Sequence, residues 1–130
     1  MIKAVIYARV SSREQEREGF SIPAQLELLR NYALNHNITV VKEFEDAETA
    51  KKAGRTNYNE MLKFIKSSKD VNTILVEKTD RLYRNFKDYV TLEDYDLEVH
   101  LVKEGTVLSE NSKSHEKFIH GIKVLMAKNY

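Results

Sequence analysis

The run I-K-A-V-I-Y-A-R-V (Ile2–Val10) constrains the fold more than any other segment of the chain. It is short, rich in β-branched residues and broken only by Lys3 and Arg9. A strand of that composition suits a buried, central place in a sheet rather than a half-wetted hairpin. Three further segments read as strands: residues 39–44 (T-V-V-K-E-F), 73–76 (T-I-L-V) and 98–102 (E-V-H-L-V). Apolar residues at helical spacing lie between them. Ser21 ahead of Pro23 marks a helix start, and Leu26, Leu29, Tyr32 and Ala33 carry the pattern to about His36. Tyr58, Met61, Leu62 and Ile65 mark a second helix, residues 86–93 a third, and Phe118, Ile119, Ile122, Leu125 and Met126 a final stripe. Residues 46–57 are polar, with Gly54 as their only glycine, and read as a loop. Strands alternating with helices predict an α/β three-layer sandwich around a mostly parallel central sheet of about four to five strands. No repeat or linker divides the chain, so one domain is expected.

Composition narrows the function classes. The 130 residues carry 21 Lys+Arg against 20 Asp+Glu, a net charge of +1. The balance is even along the chain, with 9 positive and 8 negative residues in 1–55 and 12 of each in 56–130. A nonspecific nucleic-acid coat is therefore not expected, and any basic site must be made by position. No apolar run approaches the roughly 20 residues of a membrane span, which points to a soluble protein. The absence of cysteine excludes disulfides and thiolate metal sites. The four histidines, His36, His100, His115 and His120, lack the spacing of a metal pair, and no cluster of Asp and Glu suggests two-metal chemistry, so no cofactor is expected.

Ligands of open α/β sheets bind beyond the carboxyl ends of the strands. The first strand ends at Arg9-Val10-Ser11-Ser12, the third at Lys78-Thr79-Asp80-Arg81-Leu82-Tyr83-Arg84, and the loop after the second contains Lys51, Lys52 and Arg55. Four of the seven arginines, Arg9, Arg55, Arg81 and Arg84, thus fall at one predicted edge with a hydroxyl pair and a carboxylate. Guanidinium groups donate in a fork matched to phosphate oxygens, so their convergence suggests a phosphate ester site with serine as the attacking group. The alternative is that these arginines pair with surface carboxylates. Lys78 can contact phosphate or pair with Asp80. The aromatic residues at helical spacing, Phe86 with Tyr89 and Tyr32 beside Leu29, read as core rather than as platforms for bases.

Three ordered motifs then carry a resemblance. Y-A-R-V-S-S-R-E-Q (residues 7–15) with G-F-S-I-P-A-Q (19–25), R-T-N-Y-N-E-M-L (55–62) and D-R-L-Y-R (80–84) resemble the signatures of the serine recombinases, the resolvases, invertases and large serine integrases. The resemblance implies a resolvase-like catalytic domain with Ser11 as nucleophile and Ser12 as its neighbour. It implies that Arg9, Arg81 and Arg84 surround the scissile phosphate and that Asp80 orients them or assists proton transfer. Arg55 matches the mobile-loop arginine, and Gln15 the glutamine that positions the nucleophile's loop. It further implies site-specific recombination of double-stranded DNA through a 5′-phosphoserine intermediate, without ATP or metal. The expected assembly is a homodimer on each site that forms a synaptic tetramer in the cytoplasm of a bacterial or phage-infected cell. A DNA-recognition region is expected beyond residue 130. The rivals are a Ser/Arg phosphodiesterase or nuclease and an inactive DNA-binding relative. Departures begin after Arg84: residues 112–117 (S-K-S-H-E-K) lack the family's glycine, and Ala127-Lys128-Asn129 stands near where an E-R pair is usual. The final helix stripe is expected to pack on a partner as well as on its own domain.

Overall fold

A computed structural model describes residues 1–11, 21–48, 55–109, 120–122 and 124–125. Among these residues, five strands and four helices follow in the order β1 (Ile2–Val10), α1 (Ile22–Asn35), β2 (Ile38–Ala47), α2 (Thr56–Ser67), β3 (Thr73–Val76), α3 (Thr79–Leu82), α4 (Phe86–Glu93), β4 (Glu98–Leu101) and β5 (Thr106–Leu108), and the described residues of 120–125 are helical. They form one sheet of strand order β2-β1-β3-β4-β5. The first three pairings are parallel and the last is antiparallel. β1 is an interior strand, as its composition predicts.

Two boundaries differ from the sequence reading. β2 runs through Asp46 and Ala47 because these residues pair with Arg9 and Val10, so the ladder extends as far as its partner does. Its polar character reflects its place at the sheet edge, where one side of the strand meets water. The expected loop over 46–57 accordingly loses residues to β2 and α2, and 49–54 lie outside the described residues. β4 stops at Leu101, where a 3₁₀ turn (Val102–Glu104) and Gly105 in the left-handed region (φ 62°) reverse the chain into β5. At three residues, that strand is too short to show a period in sequence.

The two faces of the sheet follow the two-residue period of its strands. Ala4, Ile6 and Ala8 of β1 and Leu75 of β3 point to α1 and meet Leu26, Leu29 and Ala33. Val5 and Tyr7, Ile74 and Val76, Val99 and Leu101 point the other way, onto Tyr58, Met61 and Ile65 of α2, Leu82 and Leu92. This is the expected three-layer arrangement. Val124 joins the second layer, and His120 is buried against the rings of Tyr83 and Tyr89. Ile122 and Leu125 are 39% and 46% exposed, so the described part of the stripe is only partly covered by its own domain. Phe118, Ile119 and Met126 lie outside the described residues.

Phe86 and Tyr89 pack against each other and the core, as expected. Tyr32 does more than fill space. It is half-buried, with its hydroxyl 2.7 Å from His100 Nδ1, and His100 Nε2 lies 2.6 Å from Glu98. No helix among the described residues is long and apolar enough to cross a membrane.

Candidate active site at the carboxyl ends of the strands

Arg9 is the ninth residue of the chain and the eighth of β1, in phase with Tyr7, so it emerges on the α2 face where the strands end. Its backbone is pinned from the opposite layer: Gln25 of α1, wholly buried, accepts from Arg9 N (3.1 Å) and donates to Arg9 O (3.0 Å). A side-chain amide thus continues the strand's hydrogen bonding beyond the sheet. The Arg9 guanidinium donates through Nε to Arg81 O (3.2 Å), through one terminal nitrogen to Glu48 Oε1 (2.9 Å) and through the other to Asp80 O. The ends of β1, β2 and the α3 segment are therefore tied through one side chain. Ser11 follows β1 directly and is half-buried.

α3 is a single turn that presents Arg81 inward, and Arg84 follows it in an exposed bend. Arg81 is 1% exposed and pairs through Nε with Glu77 Oε1 (3.1 Å), itself buried and shared with Lys103 (3.1 Å). Glu104 accepts from both Thr79 N (2.7 Å) and Thr79 Oγ1 (2.8 Å), fixing the start of that turn from the neighbouring strand's end. Arg84 Nε lies 3.4 Å from Glu48 Oε1, so this one carboxylate touches both Arg9 and Arg84.

Arg55 stands at the start of α2 and caps nothing with its own side chain. That duty falls to Asp46, the β2 residue opposite Arg9. Its buried carboxylate accepts from Asn57 N (3.1 Å), Tyr58 N (2.8 Å) and Tyr7 OH (2.7 Å). A carboxylate at a helix N-terminus satisfies donors that have no intrahelical partner and complements the helix dipole. With the helix start so placed, the Arg55 guanidinium lies 3.7 Å from the centre of the Tyr58 ring and donates to Asp88 (2.5 Å) and Leu82 O (2.6 Å). Asp88 also accepts from Arg84 N (2.8 Å). Burial, partly opposed by the Arg55 charge, holds the Tyr7 and Tyr58 phenols well above their ordinary range, so both stay neutral, and Tyr7 keeps its proton to donate to Asp46.

The structure thus brings Arg9, Arg55, Arg81 and Arg84 to the carboxyl-end edge and gives each a carboxylate partner. Both readings of the arginines hold at once: they converge, and they are paired. Asp80 contributes its backbone oxygen, while its carboxylate is half-exposed and 4.0 Å from Lys78. In the described residues, Glu48, Glu77 and Asp88 are the groups that orient the arginines. Gln15 and Ser12, with Lys51 and Lys52, lie outside the described residues. Sequence reasoning gave no role to Gln25, Asp46, Glu48, Glu77, Asp88 or Glu104. Of these, Glu77 and Asp88 stand four residues from Arg81 and Arg84 in sequence, the spacing at which a local partner can be sought. Among the described residues, no three His, Asp or Glu side chains converge to hold a metal ion.

The described architecture and the ordered arginines agree with an independent match: residues 4–129 fit the family described as "Resolvase, N terminal domain". The chain belongs to that family. A resolvase family site-specific recombinase from Streptococcus pneumoniae is 29% identical, with a TM-score of 0.76 over 99% of this chain and 89% of that one. The N-terminal catalytic domain of TP901-1 integrase is 28% identical, with a TM-score of 0.69 over 98% and 93%. An uncharacterized immunity region protein 3 of Bacillus phage phi105 is 38% identical over 61 residues, 46% of this chain and 74% of that protein. The resolvase-type domain therefore has the serine recombinase catalytic fold, as the motifs imply. Its membership supports recombination of DNA in general terms.

Proposed function

We propose that this resolvase-type domain cuts and rejoins double-stranded DNA at specific sites, with Ser11 as the nucleophile. The observation that carries the reading is the convergence of Arg9, Arg81 and Arg84 at the strand ends beside Ser11, with Arg55 on the flank. Ser11 Oγ attacks a backbone phosphorus, the Oγ–P bond forms, and the bond from phosphorus to the 3′ oxygen breaks. The 3′ oxygen leaves as a hydroxyl after taking a proton, and the 5′ end remains as a phosphoserine ester. Asp80, exposed at this edge, is the group proposed to handle the serine proton. One phosphoester replaces another, so the 3′-hydroxyl of a new partner strand reverses the step without ATP. Fixed guanidinium donors offset the charge that grows on the equatorial oxygens during attack.

The same reading includes a dimer on each site and a synaptic tetramer, with base recognition by a region other than residues 1–130. A net charge of +1 and arginines committed to one phosphate leave little here to read bases. The test is a denaturing gel of the full protein on a recombination site whose rejoining is blocked. Wild type leaves a protein–DNA adduct and Ser11→Ala leaves none while remaining folded. An adduct of normal yield from Ser11→Ala refutes the assignment, and loss only in Ser12→Ala moves the nucleophile by one residue.

A further inference from the structure

We infer that Glu48 is an internal anion that occupies the phosphate seat and must be displaced before a phosphate enters. The inference rests on the proposed role of Arg9 and Arg84 as phosphate ligands. Three carboxylates hold the clustered arginines, and they differ in kind. Glu77 is buried with Arg81 and shared with Lys103, which makes it part of the interior. Asp88 belongs to α4 and accepts an Arg84 backbone N–H in addition to the Arg55 guanidinium, which makes it a structural brace. Glu48 alone of the three bridges two guanidinium groups from different segments, with Oε1 2.9 Å from Arg9 and 3.4 Å from Arg84.

A single oxygen shared by two guanidinium groups is also what a phosphate oxygen bound there requires. The Glu48 side chain is 16% exposed and that of Arg84 is 34% exposed, so this pair sits at the mouth of the cluster, whereas Arg81 and Glu77 do not. Glu48 is placed by its backbone, whose N–H donates to Val10 O (3.0 Å) one residue past the end of β2. Its carboxylate is therefore delivered to the edge where β1 ends, one residue before Ser11. A phosphate oxygen accepts from guanidinium groups as a carboxylate oxygen does, so a phosphate that reaches this place can take both guanidinium groups in place of Glu48. Until then the seat is closed, and apparent affinity is reduced by the fraction of molecules in which it is open. The consequence is selectivity: an anion that contacts only one guanidinium group does not dislodge Glu48, while a phosphate that takes both does.

Inorganic phosphate is the probe, titrated into the full chain while the arginine Nε–H resonances are followed by NMR. In the wild type, phosphate should shift Arg84 Nε–H and leave Arg81 Nε–H, which faces Glu77, unmoved. Glu48→Gln keeps the shape of the side chain and removes its charge, and should bind phosphate about tenfold more tightly. A folded Glu48→Gln that binds phosphate no better than wild type overturns the inference, because Glu48 then positions the arginines rather than filling their seat. If that variant does not fold, the wild-type titration decides, and an Arg84 Nε–H signal that never moves overturns it equally. The DNA-adduct assay separates this from the function proposed above. Should Ser11→Ala retain the adduct while Glu48→Gln still gains phosphate affinity, the seat stands and the role of Ser11 falls.

Discussion

Replacing Asp46 tests how the site is built more directly than replacing any arginine. Its carboxylate gathers three donors from two elements: Tyr7 OH of β1 and the N–H groups of Asn57 and Tyr58 at the start of α2. In Asp46→Ala, water reaches exposed Asn57, but the Tyr7 hydroxyl and the Tyr58 amide belong to residues only 0% and 4% exposed. Each buried donor left unmet costs about 1–3 kcal/mol. The lost carboxylate–dipole interaction adds about 0.3–1 kcal/mol. Together they put Asp46→Ala at about 4 kcal/mol, a large part of the roughly 5–15 kcal/mol that holds a domain folded. Asp46→Asn keeps one acceptor oxygen and should cost about half as much. Urea denaturation followed by circular dichroism reads both values, and a double-mutant cycle with Tyr7→Phe isolates one contact. In the Asp46→Ala background Tyr7→Phe should cost less than in wild type, because the stranded hydroxyl is gone. An Asp46→Ala variant destabilised by less than about 1 kcal/mol, or a cycle showing no coupling between the two residues, would refute the claim that this carboxylate organises the start of α2.

Gln25→Ala removes both bonds to the Arg9 backbone inside a packed layer and should lower stability by about 2 kcal/mol in the same urea assay; Gln25→Glu should be no better, since it cannot donate to Arg9 O. Burial raises the phenol pKa of Tyr7, Tyr58 and Tyr83, and Tyr89 is pushed up to about 12 by burial and then by Glu93. Unfolded tyrosines ionise near pH 10, so this stability is complete below about pH 10 and lost as pH rises through the folded values. A urea midpoint that stayed level to pH 12 would contradict it. DNA cleavage should persist in excess chelator, because arginines supply the charge at the proposed site; a strict Mg²⁺ requirement for the cleavage step itself would favour a nuclease mechanism.

The scaffold was legible because burial on both faces leaves a composition signature. Ile2–Val10 and Thr73–Val76 are apolar at nearly every position, and the helices between them carry their core contacts at helical spacing. Arg9, Arg55, Arg81 and Arg84 were legible as a group from the rule that strand ends face the ligand. The groups that fix them were not. Asp46 and Glu48 lie in a polar stretch that resembles loop, since an edge strand shows little apolar alternation. Gln25 sits at a buried position of α1 that an apolar residue would ordinarily fill, and its role depends on the Arg9 backbone sixteen residues away. His120 was given no role in the core because a lone histidine in an apolar stripe carries no packing signal, whereas its ring lies against Tyr83 and Tyr89.

The carboxylates that hold the arginine cluster also govern how the domain behaves at a distance. Each clustered guanidinium has an acidic partner within 3.4 Å, and the chain as a whole carries a net charge of +1. Such close pairs act as dipoles whose fields largely cancel within about 10 Å, the screening length at ordinary ionic strength. The domain therefore casts almost no positive potential into solution and gains little electrostatic steering toward a polyanion. On the inference drawn above for Glu48, these arginines would meet phosphate only after contact, when a bound strand takes the place of an acidic partner. If the domain acts on DNA as proposed, its encounter with the strand should be slow and little affected by salt.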